Sequence, residues 1–208
     1  MRANASALFK VLVSKFPPGF SETAVTETLA LPLTGKTTGI DHRTTLYTML
    51  SMLPKHDAVS MTLVNALPTL IVKETNDPAT SLLMRMLPTH LNHLLACNTP
   101  IPTEITTLVT KEMSSAKPVL KRAFVSVVGA ALWDLDTAPE SINDATKTFA
   151  RVISGSLEGC LKTVSANPLG TASGPLEGYV ALAVLLRHST ASSVFGTFVS
   201  FRQLRSFD

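Results

Sequence analysis

The chain has 208 residues, of which 45% are hydrophobic and 16% are charged, so it can bury a sizeable core and is not disordered overall. Aromatic residues make up only 6%, which favours thin helix-on-helix layers filled by Leu, Ala and Val over a β-sandwich. The net charge of +3 permits contact with nucleic acid or acidic lipid but does not by itself indicate either partner.

The N-terminal segment has no acidic residue from Met1 to Ser21 but contains Arg2, Lys10 and Lys15. This composition overlaps with that of a mitochondrial presequence. An ordinary amphipathic first helix explains the same pattern, and we favour it. Residues 31–40 follow as a polar loop rich in Gly and Thr.

Three aspartates mark the predicted starts of the next helices. Asp41, Asp57 and Asp77 are acceptors of the kind found at helix N-caps, and Pro78 follows the third at the first helical position. Behind each start the apolar residues recur at helical spacing. The residues predicted to face inward are Leu46, Met49, Leu50 and Leu53, then Leu63, Leu67, Leu70 and Ile71, then Leu83, Leu87, Leu91 and Leu95.

Four further helices are predicted towards the C-terminus, each again with one apolar face. Their starts are predicted at Pro102, Lys117, a capping box over Ser141–Asp144, and Gly174. The predicted inward residues are Ile105, Leu108 and Val109, then Leu120, Phe124, Val127, Ala131 and Leu135, then Ile142, Ala145, Phe149, Val152, Leu157, Leu161 and Val164, and finally Leu176, Tyr179, Val180, Ala183 and Val184.

The helix starts suggest a repeat. Those near residues 41, 78 and 117 are separated by roughly 40 residues, the length of HEAT and armadillo units. The segments ALPT (66–69) and MLPT (86–89) are similar, and both place a proline inside a predicted helix. We therefore predict an all-α fold, an α-solenoid of HEAT/armadillo-like antiparallel helix pairs. Because a later loop breaks the period, a helical bundle without repeats is the alternative.

The predicted organisation has three parts. Residues 1–40 hold N-terminal helices and the polar loop, residues 41–187 the helical repeats, and residues 188–208 an atypical tail without helical period. Two cysteines are too few for a disulfide framework and indicate a reducing compartment, while no apolar run reaches the roughly 18 residues of a membrane span. These features predict a cytoplasmic protein with no membrane partner.

Three residue patterns resemble parts of catalytic sites. Residues 35–37 (GKT) have the ending of a phosphate-binding loop, but Ala30 stands where the pattern requires a glycine. Ser154 and Ser173 precede glycines yet lack the second flanking glycine of a nucleophile elbow. Carboxylates are scattered rather than paired. We therefore predict no catalytic residue, no cofactor and no small-molecule substrate.

A metal site is a weaker alternative. His90, His93 and Cys97 project from one side of a predicted helix at spacings that could share a metal ion. No fourth ligand is evident, and His90 lies on the apolar stripe, where a hydrogen-bonded core histidine is commoner. We therefore predict no metal site, and an enzymatic function would depend on these three residues alone.

The candidate contact surface is a basic group formed by Lys111, Lys117, Lys121 and Arg122. Three of its members are clustered at the start of one predicted helix, where positive charge is slightly unfavourable against the helix dipole. A solvated face is the commoner explanation of such a group, and a surface that binds a phosphate backbone is the alternative.

Seven stretches are more specific than generic helix. They are MLSMLPKHDAVS (49–60), TLVNALPTL (62–70), KETND (73–77), NTPIP (98–102), KEMSSAKPVLKRAFVS (111–126), CLKTVSANPL (160–169) and GPLEGYVALAVLL (174–186). Together they resemble the N-terminal region of the large fungal HEAT-repeat translational activator of general amino-acid control. The resemblance spans residues 44–187 and is absent from the segment after Leu186.

The resemblance implies a non-catalytic scaffold. Its family binds translating ribosomes and, under amino-acid starvation, promotes activation of the kinase that phosphorylates the alpha subunit of initiation factor two. The expected partners are thus ribosomal RNA or protein, contacted through the basic group, and proteins of the kinase pathway. The family's kinase-binding segment lies much further towards the C-terminus, so we expect a fragment or a truncated gene model with a misjoined end. A generic helical-repeat module for protein–protein binding, without a ribosome role, is the alternative.

Overall fold

The fold is described by a computed structural model over residues 2–15, 39–115, 118–133 and 142–166. Within these ranges the regular structure consists of seven α-helices without any strand, so the all-α prediction is confirmed there. The helices are α1 (Arg2–Lys15), α2 (Ile40–Leu50), α3 (Asp57–Lys73), α4 (Asp77–Ala96), α5 (Thr103–Met113), α6 (Pro118–Trp133) and α7 (Asp144–Ala166). None of these seven helices is both long enough and apolar enough to cross a bilayer.

The chain divides into two compact units. The first comprises Met1–Cys97 and Pro102–Ile105, and the second comprises Asn98–Ile101 and Thr106–Asp208. In the first unit α3 packs extensively against α4, while α2 packs on α4 and α1 on α2. In the second unit α6 packs against α7.

The core of the first unit is formed largely by the predicted apolar stripes of α3 and α4. All eight residues predicted to face inward from these two helices are buried, which confirms the two stripes. Pro68 and Pro88 lie inside α3 and α4, as the sequence predicts, although each removes a backbone hydrogen bond. In α2 the prediction is partly wrong, because Tyr47 is buried whereas Leu46 and Met49 are only half-buried.

The core of the second unit also follows most of the predicted faces, with Val152 as the clearest error. Phe124, Val127 and Ala131 of α6 are buried, as are Ile142, Ala145, Phe149 and Leu157 in and before α7. Val152, predicted to face inward, is 52% exposed, and its neighbour Ile153 is fully buried. The reason is helical phase, because buried residues at positions 145, 149, 153 and 157 form an i, i+4 column that leaves position 152 on its flank. Leu108 and Leu120, also predicted to face inward, are only half-buried, so the prediction is partly wrong there too. Leu135 and the predicted helix after Gly174 lie outside the described residues, as do the side chains of Leu161 and Val164.

The predicted caps are displaced. Helix α2 begins after Gly39 and α3 after His56, and neither residue caps its helix with a side chain, so Asp41 and Asp57 are not N-caps. Helix α4 is capped by Asn76, whose Oδ1 accepts from the Ala79 amide at 3.1 Å. An aspartate in the first turn, rather than at the cap, places its charge against the positive end of the helix dipole.

The start of α7 is held by two asparagines rather than by the predicted capping box. Asn143 Oδ1 accepts from the Thr146 amide at 2.9 Å, and Asn98 Oδ1 accepts from the Ala145 amide at 3.0 Å. Asn98 has a φ of 57°, in the left-handed region that asparagine tolerates better than most residues. Ser141, the predicted first residue of the box, lies outside the described residues.

Candidate functional site

The basic group is described only in part. Lys111 is exposed in the last turn of α5, and Lys121 is half-buried near the start of α6. Lys117 lies outside the described residues, and Arg122 belongs to α6 without a described side chain. The grouping of the four side chains on one surface therefore stays a prediction.

His90 is a core histidine that connects α3 and α4. Its side chain is buried, and its Nδ1 lies 2.9 Å from the hydroxyl oxygen of Ser60 on α3. A hydrogen-bonded core histidine is what the sequence favours over metal binding for His90, because His90 lies on the apolar stripe of α4. Burial lowers the pKa of His90 from its ordinary value of 6.5 to about 4, and the charges of His93 and Lys55 act in the same direction.

Acid should destabilise the fold through His90. Because its folded pKa is depressed, the unfolded chain binds the proton first, so the stabilisation is fully present above pH 6.5 and is lost as the pH falls towards about 4. We expect a loss of about 2 kcal/mol in unfolding free energy between pH 7 and pH 5. Urea titrations at both pH values would measure it. His90→Gln should abolish most of this pH dependence. The control His42→Ala, at an exposed position, should keep it. An unchanged pH dependence in His90→Gln would contradict its assignment to His90.

Asp57, His93 and Cys97 form a second cluster, here called the Asp57 cluster. His93 Nε2 lies 2.9 Å from Asp57 Oδ1 and 3.9 Å from Cys97 Sγ. One potential ligand atom from each of the three residues lies within 4.8 Å of the others. The contact joins the first turn of α3 to the end of α4, which shows that these two helices run antiparallel. The sequence identifies His93 and Cys97 as neighbours but assigns Asp57 to a cap.

A third cluster, the Glu74 cluster, was not predicted. The Arg43 guanidinium donates from Nε to Glu74 Oε2 at 3.0 Å and from its terminal nitrogen to Oε1 at 3.1 Å, a bidentate pair. The Tyr47 hydroxyl donates to Oε2 at 3.3 Å, and the backbone amides of Thr75 and Asn76 both donate to Oε1. The carboxylate thus holds α2 against the connection between α3 and α4.

The surroundings of Glu74 favour its ionised carboxylate over the protonated acid. The Glu74 side chain is only 3% exposed, and burial alone would raise its pKa. Hydrogen bonds from Arg43 and the Asn76 amide, with the Arg43 charge, nevertheless hold the pKa of Glu74 below its usual 4.5. Burial, reinforced by the charge of Glu74, raises the pKa of Tyr47 to about 12. Glu74 therefore has a structural role, because it holds α2 in place. The stretch KETND (73–77), which contains Glu74, is also one of the stretches that carry the family resemblance.

The patterns that resemble catalytic sites gain no support in the described residues. Residues 35–37 and Ser173 lie outside them. Ser154 and Gly155 lie within α7, a continuous helix, whereas a nucleophile elbow requires a sharp turn between strand and helix.

Comparison with known families gives one match. The model of the family described as General control nonderepressible 1 (Gcn1), N-terminal, matches residues 40–203. No curated protein matches the chain, and no solved structure matches it. The matched range begins at the first residue of α2 and extends to residue 203, so the expectation that the resemblance is absent after Leu186 is wrong. Because the match covers most of its length, the chain belongs to the Gcn1 N-terminal family.

Proposed function

We propose that this chain is a non-catalytic helical-repeat scaffold and a section of a translational activator. In this role it associates with ribosomes and promotes activation of the kinase that phosphorylates initiation factor two alpha under amino-acid starvation. The observation that carries the proposal is membership of the Gcn1 N-terminal family over residues 40–203. The cytoplasm is the compartment that such a role requires.

The proposed architecture is an α-solenoid of HEAT/armadillo-like helix pairs over residues 41–187. The antiparallel packing of α3 on α4 across a three-residue connection supports it, because such hairpins are the units of these arrays. Preceding helices with a polar loop over 1–40 and a C-terminal segment over 188–208, of which residues up to 203 lie within the family match, complete the proposed organisation.

The proposed ribosome contact is the basic group. Lys111 is exposed, and α6 has no acidic residue in its first turn to neutralise Lys121. A cationic surface of this kind suits a phosphate backbone, whose binding weakens as salt displaces the protein from the phosphates. Lys117 and Arg122 are included in the proposed contact because they are close to Lys121 in the sequence.

Co-sedimentation with purified ribosomes over a series of salt concentrations tests this contact. We expect the triple variant Lys117→Glu, Lys121→Glu and Arg122→Glu to bind more weakly and to reduce the slope of log affinity against log salt by about 3. Glutamate near the start of α6 is favourable against the helix dipole, so weaker binding would not be explained by unfolding of that helix.

A matched control is available among exposed basic residues elsewhere. Lys10→Glu, Lys55→Glu and Arg85→Glu change two lysines and one arginine at exposed positions, and the charge changes by the same amount. The control should bind as the wild type does. Binding that neither salt nor the triple variant weakens would exclude the basic group and would favour the generic protein–protein module.

A further inference from the structure

We propose that the Asp57 cluster is a Zn²⁺ site that holds together one end of the α3–α4 pair. Its donor set is one carboxylate oxygen, one imidazole nitrogen and one sulfur, the three ligand types that Zn²⁺ takes in proteins. This proposal depends only on the geometry of the first unit and is independent of ribosome binding. It replaces the trio suggested by the sequence, because Asp57 takes the place of His90.

The distances suit a small tetrahedral ion. Bonds of about 2.0 to 2.3 Å to a tetrahedral Zn²⁺ place neighbouring ligand atoms roughly 3.3 to 3.8 Å apart. His93 Nε2 lies 2.9 Å from Asp57 Oδ1 and 3.9 Å from Cys97 Sγ, on either side of that interval. Cys97 Sγ also lies 4.0 Å from His93 Nδ1, so it is the 2.9 Å contact with Asp57 that selects Nε2 as the ligand, and the His93 and Cys97 side chains must rotate to admit the ion.

The positions of the ligands on the two helices also favour a cation. His93 and Cys97 are separated by one helical turn at the C-terminal end of α4, where the helix dipole is negative. Asp57 supplies a formal negative charge and is 64% exposed, while His93 is 19% exposed, so an ion could reach the site from solvent. A nitrogen and a sulfur among the donors favour Zn²⁺ over Mg²⁺ or Ca²⁺.

The bonds formed can be stated completely. His93 binds through Nε2 as a neutral imidazole, Asp57 through a carboxylate oxygen, and Cys97 as a thiolate after its proton has passed to solvent. Water occupies the fourth position of the tetrahedron. Because the ligands come from the first turn of α3 and the end of α4, the ion would hold the open end of the hairpin. The Glu74 cluster lies at the opposite end, beside the α3–α4 connection.

Titration of the metal-free, purified chain with Co²⁺ tests the site, since Co²⁺ bound to a thiolate has a charge-transfer band in the near ultraviolet. The wild type should bind one equivalent with this band and release it when Zn²⁺ is added. Cys97→Ser should abolish the band, and Asp57→Asn and His93→Ala should weaken binding about a hundredfold or more. Zn²⁺ should also raise the Tm of the wild type by several degrees and leave that of Cys97→Ser unchanged.

His42→Ala and Cys160→Ser are the matched controls, because each removes the same residue type at a position that is not one of the three proposed ligands, and both should keep the band and the affinity. All variants should retain the wild-type circular dichroism spectrum. Asp57→Asn preserves the shape of the carboxylate and so serves if a larger substitution unfolds the protein. A wild type without stoichiometric Co²⁺ or Zn²⁺ at micromolar metal would overturn the proposal in favour of a simple contact between His93 and Asp57. A band that persists in Cys97→Ser would overturn it by assigning the sulfur ligand to another residue.

Discussion

Replacing Glu74 by glutamine should lower the free energy of unfolding by about 2–3 kcal/mol. In the variant the Arg43 guanidinium faces an uncharged side-chain amide. The NH₂ group of the glutamine replaces one acceptor oxygen, so one of the donors around this position loses its acceptor. Breaking a fully buried ion pair typically costs about 3–5 kcal/mol. The smaller loss of about 2–3 kcal/mol is expected here because the Arg43 side chain is 26% exposed. Urea titration followed by circular dichroism would measure the loss.

The pH dependence separates this effect from a general loss of packing. Because the folded pKa of Glu74 is depressed, its contribution is present above the ordinary pKa of 4.5 and is lost as the pH falls through the folded value. The difference between wild type and Glu74→Gln should therefore narrow below pH 4.5. Glu104→Gln, at an exposed position in the first turn of α5, should cost no more than about 1 kcal/mol. Equal costs at the two positions would show that the Glu74 cluster contributes little.

The inner faces of the helices could be predicted because helical period is a local property of the sequence. In α4, the column Leu83, Leu87, Leu91 and Leu95 is fully buried, as its spacing requires. Caps were less predictable, since several acceptor residues often stand close together near the start of a helix. At α4 the cap is Asn76 rather than Asp77, and at α7 it is Asn143 rather than Ser141.

The clusters could not be predicted because they join residues that are distant along the chain. Arg43 and Glu74 are separated by 31 residues, and Asp57 and His93 by 36. Periodicity gives each helix its inner face but not its vertical register against a neighbour, and that register decides which polar side chains meet at the ends. The sequence did indicate His93 and Cys97, because one helical turn within a single helix separates them. Their partner became evident only once α3 and α4 were seen to be antiparallel.

The neighbouring residues Val152 and Ile153 give the most direct test of the phase of α7. Ile153→Ala should lower the free energy of unfolding by about 2–5 kcal/mol, because it removes fully buried methyl groups and leaves a cavity. Val152→Ala removes a side chain that is 52% exposed, and alanine has the higher helix propensity, so the change should stay within about 0.5 kcal/mol.

The comparison of these two variants is informative because the substitutions are adjacent and of one chemical kind. Periodicity alone assigned Val152 to the core, since it follows Phe149 by three positions. In the structure it is Ile153, four positions after Phe149, that is buried in the core. Urea titration, with hydrogen exchange of the α7 amides as a local measure, would distinguish the two phases. A larger loss in Val152→Ala than in Ile153→Ala would restore the face predicted from sequence and would require α7 to be rotated by about 100° about its axis.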